Sequence, residues 1–258
     1  MNPFLDIYAE CYDSIHKDKN YAHEVELISK LFEDYEINLK NSKILDFGAG
    51  TGMHAKAFAH LGISIEAYEP SASMARQARR NCPSLTIYEQ LNDITQPFDV
   101  VISLFDVLSY QTSEQILQNY LREISPMLVT GGYVLLDSWH TPGVLLDPPS
   151  LREKLFEFKG SSWLRRVSPV STDREDVFDL KIELLSIPDN KVHYSANHKL
   201  KSYSVKEIEK ELELNGFETV SIGDTEKWDT NFKENSWRFW ILAKKVNDKH
   251  NTAPYSEI

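Results

Sequence analysis

Residues 44–52 read Ile-Leu-Asp-Phe-Gly-Ala-Gly-Thr-Gly, and Glu69 closes a second apolar run seventeen residues later. A short apolar run followed by closely spaced glycines is typical of a buried strand that leads into a tight turn and a helix. Glycines let the backbone approach a ligand closely, and a carboxylate at the end of the next strand can bind a pair of ribose hydroxyls. The stretch therefore predicts an open α/β sheet that holds the adenosine half of a cofactor.

Composition and charge exclude several classes of function. The 258 residues are 41% hydrophobic and 26% charged, as in an ordinary globular protein, and the net charge is -11. This charge argues against binding to nucleic acid and to an anionic membrane surface. The sequence has no apolar run long enough to span a membrane and no apolar signal-peptide core near its start. Its two cysteines form no metal or disulfide motif, so we expect a cytoplasmic protein.

Strand and helix patterns alternate up to Asp137. Such alternation is typical of a parallel sheet with helices on both faces. The fold class is therefore α/β, with a Rossmann-like, doubly wound and mostly parallel seven-stranded sheet. Strands are predicted at 42–47, 63–68, 84–88, 98–105 and 133–137, with Gly131-Gly132 as a turn before the last, and helices at 21–36, 51–61, 70–81 and 113–128.

After Asp137 the pattern changes to an antiparallel β-rich insertion. A short helix is predicted at 151–156 and strands at 163–167, 177–186 and 192–201; a helix at 204–214, with Ser204 and Glu207 as a capping box, and strands at 219–222 and 237–246 complete the sheet. No linker separates these parts. We predict a single domain over 1–258, composed of an N-terminal helical cap (1–40), a cofactor-binding core (41–137 and 204–246), a β-rich lid (138–203) and a flexible tail (247–258).

The glycine spacing distinguishes between cofactors. A dinucleotide-binding turn follows G-x-G-x-x-G, whereas the glycines here are 48, 50 and 52. The tighter turn resembles the first motif of class I S-adenosylmethionine-dependent methyltransferases. Glu69-Pro70-Ser71 with Met74, then Phe98-Asp99-Val100-Val101, then Gly131-Gly132-Tyr133-Val134-Leu135 resemble later motifs of that family in the same order. Taken alone, the glycine turn also fits a nicotinamide or nucleotide enzyme.

The resemblance implies S-adenosylmethionine as the cofactor. Backbone donors at the helix end suit its carboxylate, and Glu69 suits its ribose. The adenine contact is left open between Gln90-Leu91 and Asp93-Ile94, because the spacing to Phe98 allows both. The predicted cofactor-binding residues are Tyr12, Tyr21, Asp46, Gly48, Ala49, Gly50, Gly52, Glu69, Pro70, Met74, Gln90, Leu91, Asp93, Ile94, Leu104 and Phe105.

Further stretches resemble methyltransferases that dimethylate the amine of nucleotide-linked deoxyamino sugars. They are residues 8–21, residues 137–142, Arg165-Arg166-Val167-Ser168, Asn197-His198-Lys199-Leu200 and residues 237–240. Three departures fall where the acceptor binds: Asp137-Ser138 replaces Glu-Pro, His140 replaces a tryptophan and Phe239 replaces a glycine. The resemblance implies a small-molecule acceptor, a nucleotide-diphosphate sugar.

Methyl transfer depends mainly on position and alignment, and an amine acceptor must be neutral to attack. His140 follows strand five, so we predict that it accepts a proton, with Asp137 holding either His140 or the acceptor and the Tyr12 hydroxyl near the methyl group. Proton loss to water is the alternative. No metal is predicted, because His193 and His198 lack metal spacing. The predicted substrate-binding residues are Asp106, Tyr110, Trp139, Arg165, Arg166, His198 and Arg238, since arginines suit a diphosphate.

Two other functions stay open. One is methylation of an amine or hydroxyl on another small metabolite or amino acid, and the other is a non-catalytic partner protein that binds S-adenosylmethionine. The lid strands also leave a homodimer open.

Overall fold

The computed structural model describes Phe4 and residues 6–246, so the tail predicted over 247–258 lies outside the described residues. The helices are α1 (Asp6–Ile15), α2 (Tyr21–Asp34), α3 (Met53–His60), α4 (Ala72–Asn81), α5 (Glu114–Ile124), α6 (Thr141–Leu146) and α7 (Val205–Leu214). The strands are β1 (Ile44–Phe47), β2 (Glu66–Tyr68), β3 (Ile87–Tyr88), β4 (Phe98–Ser103), β5 (Leu128–Trp139), β6 (Arg152–Phe158), β7 (Ser161–Val170), β8 (Val177–Ser186), β9 (Val192–Lys201), β10 (Phe217–Gly223) and β11 (Arg238–Lys245). Short 3-10 turns occur at Leu39–Asn41, Leu91–Asp93, Leu108–Tyr110 and Ser125–Met127.

The larger sheet confirms the predicted fold class. Its seven strands have the order β10-β11-β5-β4-β1-β2-β3, parallel except for β11, which runs antiparallel to both of its neighbours. Successive strand residues enter opposite layers of the core: Ile44 and Leu135 pack on one face, and Leu45 and Leu136 on the other. Burial on both faces explains the continuous apolar runs in the sequence.

The second sheet is the predicted lid, an antiparallel meander of order β6-β7-β8-β9. Helix α1 lies between it and the larger sheet, because Tyr8, Cys11 and Ile15 join Met74 of α4 and Leu184 of β8 in one apolar cluster.

Ion pairs on both sides of this region hold the N-terminal segment in place. Glu10 pairs with Lys159 of the lid at 2.6 Å, and Asp18, just beyond α1, pairs with Lys154 at 2.9 Å. Toward the core, Asp6 pairs with Arg76 of α4.

Three sequence-based expectations are corrected. The helix predicted at 151–156 is wrong, because this segment is strand β6, which pairs with β7 along its whole length. Helix α6 was missed, although Pro142 lies in its first turn. The turn predicted at Gly131-Gly132 is wrong, because both glycines belong to β5, at an irregularity where the register with β4 shifts and Gly131 has φ +87°. A Cβ on Gly132 would lie 2.9 Å from the carbonyl oxygen of Asp99, so the glycine lets β5 run close to β4. The capping box of Ser204 and Glu207 is confirmed.

Candidate functional site

One cavity of about 580 Å³ lies at the carboxyl ends of β1, β2, β4 and β5, between the larger sheet, α1 and the lid. This is where open α/β sheets bind ligands. Most of the predicted residues form its wall: Tyr12, Tyr21, Gly48, Ala49, Gly50, Glu69, Pro70, Met74, Leu104, Phe105, Asp106, Tyr110, Trp139, Arg165, His198 and Arg238.

The glycine turn shapes one end of the cavity. Gly48 has φ +87°, and a Cβ there would lie 2.9 Å from Cγ2 of Val107. Gly50 has φ +56°, and a Cβ there would meet nothing within 4 Å, so this position faces open space. A ligand can therefore approach the backbone at Gly50. Gly52 lies outside the wall; a Cβ there would approach Ala78 of α4 at 3.0 Å, so its role is the packing of α3 against α4.

Glu69 is the buried carboxylate beside this turn, 7% exposed. Its Oε2 accepts the N–H of Gly50 at 2.7 Å, and its Oε1 accepts the N–H of Ser71 at 2.8 Å. Burial raises the pKa of Glu69 to about 7, although both backbone N–H groups oppose this shift. A carboxylate has about four acceptor sites, so two remain for hydroxyl groups of a ligand.

Asp46 is a second buried carboxylate, at the end of β1 and outside the cavity wall. Its Oδ2 has no hydrogen-bond partner among the described residues. Burial raises the pKa of Asp46 to about 6, because the charged form loses its hydration. Asp46 Oδ2 is thus a buried acceptor without a partner beside the glycine turn, and it does not line the space that a ligand in the cavity would occupy.

The N-terminal segment closes the cavity and is fastened to the glycine turn. Asp13 accepts hydrogen bonds from Thr51 Oγ1 at 2.5 Å and from Asn81 Nδ2 at 2.7 Å. Tyr12 precedes Asp13 on the same helix, and burial raises the pKa of its hydroxyl well above the usual value. Tyr12 therefore presents a neutral hydroxyl to the cavity.

The turn after β4 connects four predicted residues. Asp137 is 4% exposed, and its Oδ2 and Oδ1 accept the N–H groups of Phe105 at 2.9 Å and Asp106 at 2.8 Å. Burial, with the neighbouring charge of Asp106, raises the pKa of Asp137 to about 7. Asp106 Oδ2 in turn accepts a hydrogen bond from Arg238 Nη2 at 2.6 Å. Asp137 lies outside the wall and contacts no position that a ligand would occupy in the cavity.

On the lid side, His198 of β9 is held between two tyrosines. Its Nδ1 lies 2.9 Å from the Tyr110 hydroxyl, and its Nε2 lies 2.9 Å from the Tyr194 hydroxyl. Burial and the nearby Arg165 lower the pKa of His198 to about 4. The ring is therefore neutral and positions Tyr110.

Unpaired polar atoms in the wall indicate the chemistry of the ligand. Among the described residues, Trp139 Nε1, Arg165 Nε and Arg238 Nε are buried donors without a partner, and Asp106 Oδ1 is the matching acceptor in the wall. Buried polar groups are nearly always hydrogen-bonded. Three donors against one acceptor fit a ligand that is rich in oxygen acceptors.

His140 lies outside the cavity wall, which corrects its predicted catalytic position. It is 4% exposed, its Nδ1 lies 3.1 Å from the carbonyl oxygen of Ser236, and its ring packs against Phe232 and Phe239. His140 directly follows β5, as predicted, but its side chain points away from the cavity.

Five other predicted residues also lie outside the wall. Arg166 points away from its neighbour Arg165, as successive strand residues do, and its Nε donates to Glu153 at 2.7 Å. Leu91 and Ile94 pack against an apolar cluster of the larger sheet, and the adjacent Gln90 and Asp93 are exposed.

The sequence analysis missed several wall residues. Six of them repeat at the spacing of one helix face or one strand face. Phe4, Tyr8 and His16 lie four residues apart in series with the predicted Tyr12, and Leu180 and Ile182 alternate on β8 as His198 and Leu200 do on β9. The other missed residues are Thr51, Met53, His54, Ser71 and Val107.

Within Phe4 and residues 6–246, no group of three or more His, Cys, Asp or Glu side chains is arranged to hold a metal ion. In the same part of the chain, no helix has the length and apolar character needed to cross a bilayer.

Comparison with known sequences gives a family. Residues 16–222 match the family described as a methyltransferase domain. Over 208 residues the chain is 25% identical to the dTDP-3-amino-3,6-dideoxy-alpha-D-glucopyranose N,N-dimethyltransferase of Streptomyces fradiae, a match that covers 78% of this chain and 80% of that enzyme. Two further relatives are matched over 66% and 57% of their own length.

Comparison with solved structures gives the fold. An S-adenosylmethionine-dependent methyltransferase from Clostridium acetobutylicum has a TM-score of 0.75 at 18% identity, over 93% of this chain and 98% of that chain. The sugar N-methyltransferase KedS8 of a Streptoalloteichus species has a TM-score of 0.72 at 20% identity, over 92% of this chain and 93% of that chain.

Proposed function

Because this chain belongs to the methyltransferase-domain family, we propose that it transfers a methyl group from S-adenosylmethionine to the amine of a nucleotide-activated amino sugar. The match over residues 16–222 confirms the predicted methyltransferase family. The acceptor is proposed from the residues of the cavity wall.

The residues at the glycine turn fit the methyl donor. Gly50 leaves space against the backbone, and Glu69 keeps two acceptor positions for ribose hydroxyls. When bound, S-adenosylmethionine supplies an electrophilic methyl group on a positively charged sulfur. The N-terminal segment, fastened by Asp13 to Thr51, excludes water from that position.

The observation that carries the acceptor proposal is the excess of unpaired donors on Trp139, Arg165 and Arg238. Two of these donors belong to guanidinium groups, which match the oxygens of a diphosphate in geometry and charge. The relative from Streptomyces fradiae is named for a dTDP-linked amino sugar, which has both a diphosphate and an amine.

The arrangement favours an amine that reacts as the free base. The two unprotonated imidazoles of the wall are weak bases, because burial and nearby cations lower the pKa of His16 to about 3 and that of His198 to about 4. We therefore propose that the wall aligns the amine, and that the proton of the methylated product is released to water.

Mass spectrometry with dTDP-3-amino-3,6-dideoxy-α-D-glucopyranose and S-adenosylmethionine tests the proposal. We expect products that are heavier by one and two methyl groups. Arg165→Ala should raise the KM for the sugar nucleotide about tenfold or more, since it removes a charged contact. Arg166→Ala is the matched control, because the neighbouring arginine pairs with Glu153 at the surface. Absence of product, or equal effects of the two substitutions, would refute the proposal.

We place the reaction in the cytoplasm because Cys11 and Cys82 are both free thiols, as in a reducing compartment. Cell fractionation tests this location, and a protein recovered outside the cytoplasm would contradict it. The homodimer stays a prediction, which light scattering at micromolar protein concentration can check.

A further inference from the structure

The turn after β4 contains two successive residues in the left-handed conformation, Phe105 at φ +65° and Asp106 at φ +68°. Neither is a glycine, and this is the one such pair among the described residues. A side chain disfavours this conformation, so surrounding contacts must hold it. Strain of this kind is concentrated at functional sites.

The contacts that hold the turn come from Asp137. Each of its two carboxylate oxygens accepts one of the two backbone N–H groups of the turn, at 2.9 and 2.8 Å. The larger sheet fixes the position of the Asp137 carboxylate, because the preceding residue, Leu136 of β5, is in register with Ser103, the last residue of β4. Both partners of Asp137 are donors, so the position requires two acceptors; an amide would offer one acceptor and one donor.

The turn determines the shape and charge of the cavity. It places both Phe105 and Asp106 in the wall. Asp106 then binds Arg238 at 2.6 Å, and Arg238 lies on β11, where it pairs in register with Trp139. A continuous series of contacts therefore runs from Asp137 through the turn to the guanidinium group of Arg238 in the cavity wall.

We propose that Asp137 is a positioning residue that holds the Phe105–Asp106 turn left-handed and thereby aims Asp106 and Arg238 at the methyl acceptor. This role differs from the one that the sequence predicted for Asp137, which was to hold His140 or the acceptor. The part that concerns the acceptor rests on the proposed function, whereas the part that concerns the turn does not.

The experiment compares the wild type with Asp137→Asn and uses Ser138→Ala as the matched control. Ser138 is the next residue of β5, equally buried, and its hydroxyl contacts Ser109 at 3.0 Å outside the cavity wall. Three readouts are needed: the amide proton shifts of Phe105 and Asp106 by NMR, the affinity for S-adenosylhomocysteine by calorimetry, and the KM and kcat for the sugar nucleotide.

In Asp137→Asn we expect both amide protons to lose the downfield shift typical of a bond to a carboxylate. The affinity for S-adenosylhomocysteine should stay within about threefold, because Glu69 and the glycine turn are unchanged, and the KM of the acceptor should rise about tenfold. Ser138→Ala should change none of these by more than about twofold. Unchanged amide shifts, or an unchanged KM with altered shifts, would overturn the proposal.

Two outcomes are separated by design. If the wild type does not methylate the sugar nucleotide, the proposed function fails, while the amide shifts still decide whether Asp137 holds the turn. If Asp137→Asn does not fold, hydrogen exchange of the wild type decides. Strong protection of both amides supports the contact, and exchange as fast as in an exposed loop overturns it.

Discussion

Lowering the pH from 8 to 6 should weaken the binding of S-adenosylhomocysteine about tenfold, because Glu69 must be a carboxylate to accept two ribose hydroxyls. Burial raises the pKa of Glu69 to about 7 in the ligand-free protein. The ionised fraction is then about 90% at pH 8 and about 10% at pH 6. If only the ionised form binds, the apparent dissociation constant rises in proportion to the loss of that form.

The same pKa has the opposite effect on stability. A carboxyl group with a pKa raised from 4.5 to about 7 binds a proton in the folded state that the unfolded state has released. The free energy of unfolding therefore falls as the pH rises from 4.5 to 7, by up to about 3 kcal/mol for this group. Ligand binding and folding thus respond to pH in opposite directions at the same residue.

Calorimetric titration at pH 6, 7 and 8 measures the effect on binding, and Glu69→Gln is the decisive comparison. This variant cannot ionise and should bind at least about tenfold more weakly at pH 8, with little change down to pH 6. Asp46 and Asp137 also have raised pKa values, of about 6 and about 7, so any slope that remains in the variant reports those groups. A wild type with constant affinity, or a variant with the full slope, would refute the reasoning.

Gly48→Ala should lower the free energy of unfolding by about 2 kcal/mol, because of its positive φ and the contact with Val107. Gly50→Ala should lower it less but weaken binding of S-adenosylhomocysteine more than about tenfold, since its methyl group enters the cavity. Thermal unfolding and calorimetry measure both effects, and the reverse order of the two variants would contradict this prediction. His140→Ala should lower the free energy of unfolding by about 2 kcal/mol, because His140 is buried, and leave the kcat for the acceptor unchanged; a tenfold loss of kcat in folded protein would restore the catalytic role first predicted for it. Asp13→Ala should speed hydrogen exchange in α1 several-fold, because it removes the bonds to Thr51 and Asn81, and protection equal to that of the wild type would speak against this fastening.

The parts of the fold predicted from sequence are those determined by local patterns. The strands at 177–186 and 192–201 have the predicted bounds. Alternating apolar residues identify each strand in the sequence, and Pro188-Asp189-Asn190 marks the turn between them. Residues 151–156, Leu-Arg-Glu-Lys-Leu-Phe, were predicted as a helix, but the segment is too short for its apolar residues to distinguish a helix from a strand. The segment forms a strand because it pairs with β7, and this pairing cannot be read from the local sequence pattern.

The residues expected to bind the methyl donor could also be predicted from local sequence, because the glycine turn and Glu69 lie in consecutive elements, β1, α3 and β2. The acceptor half is assembled from β5, β7, β9 and β11, so its composition depends on tertiary register. His140 is the clearest case: its place at the end of β5 was predicted, but the contact with Ser236, from the segment before β11, turned its ring away from the cavity. Asp137 lies at the end of β5 as predicted, but its carboxylate contacts the backbone N–H groups of Phe105 and Asp106, and the sequence does not reveal these partners.

The N-terminal segment that roofs the cavity is tied through exposed ion pairs of Glu10, Asp18 and Asp6, and each such pair is weak and screened by salt. We expect a ligand beneath that segment to leave faster when these ion pairs and the hydrogen bonds of Asp13 open. Residence time should therefore shorten as ionic strength rises, even where the equilibrium contacts of the ligand stay the same, so that the exit rate of a spent donor is set at the protein surface.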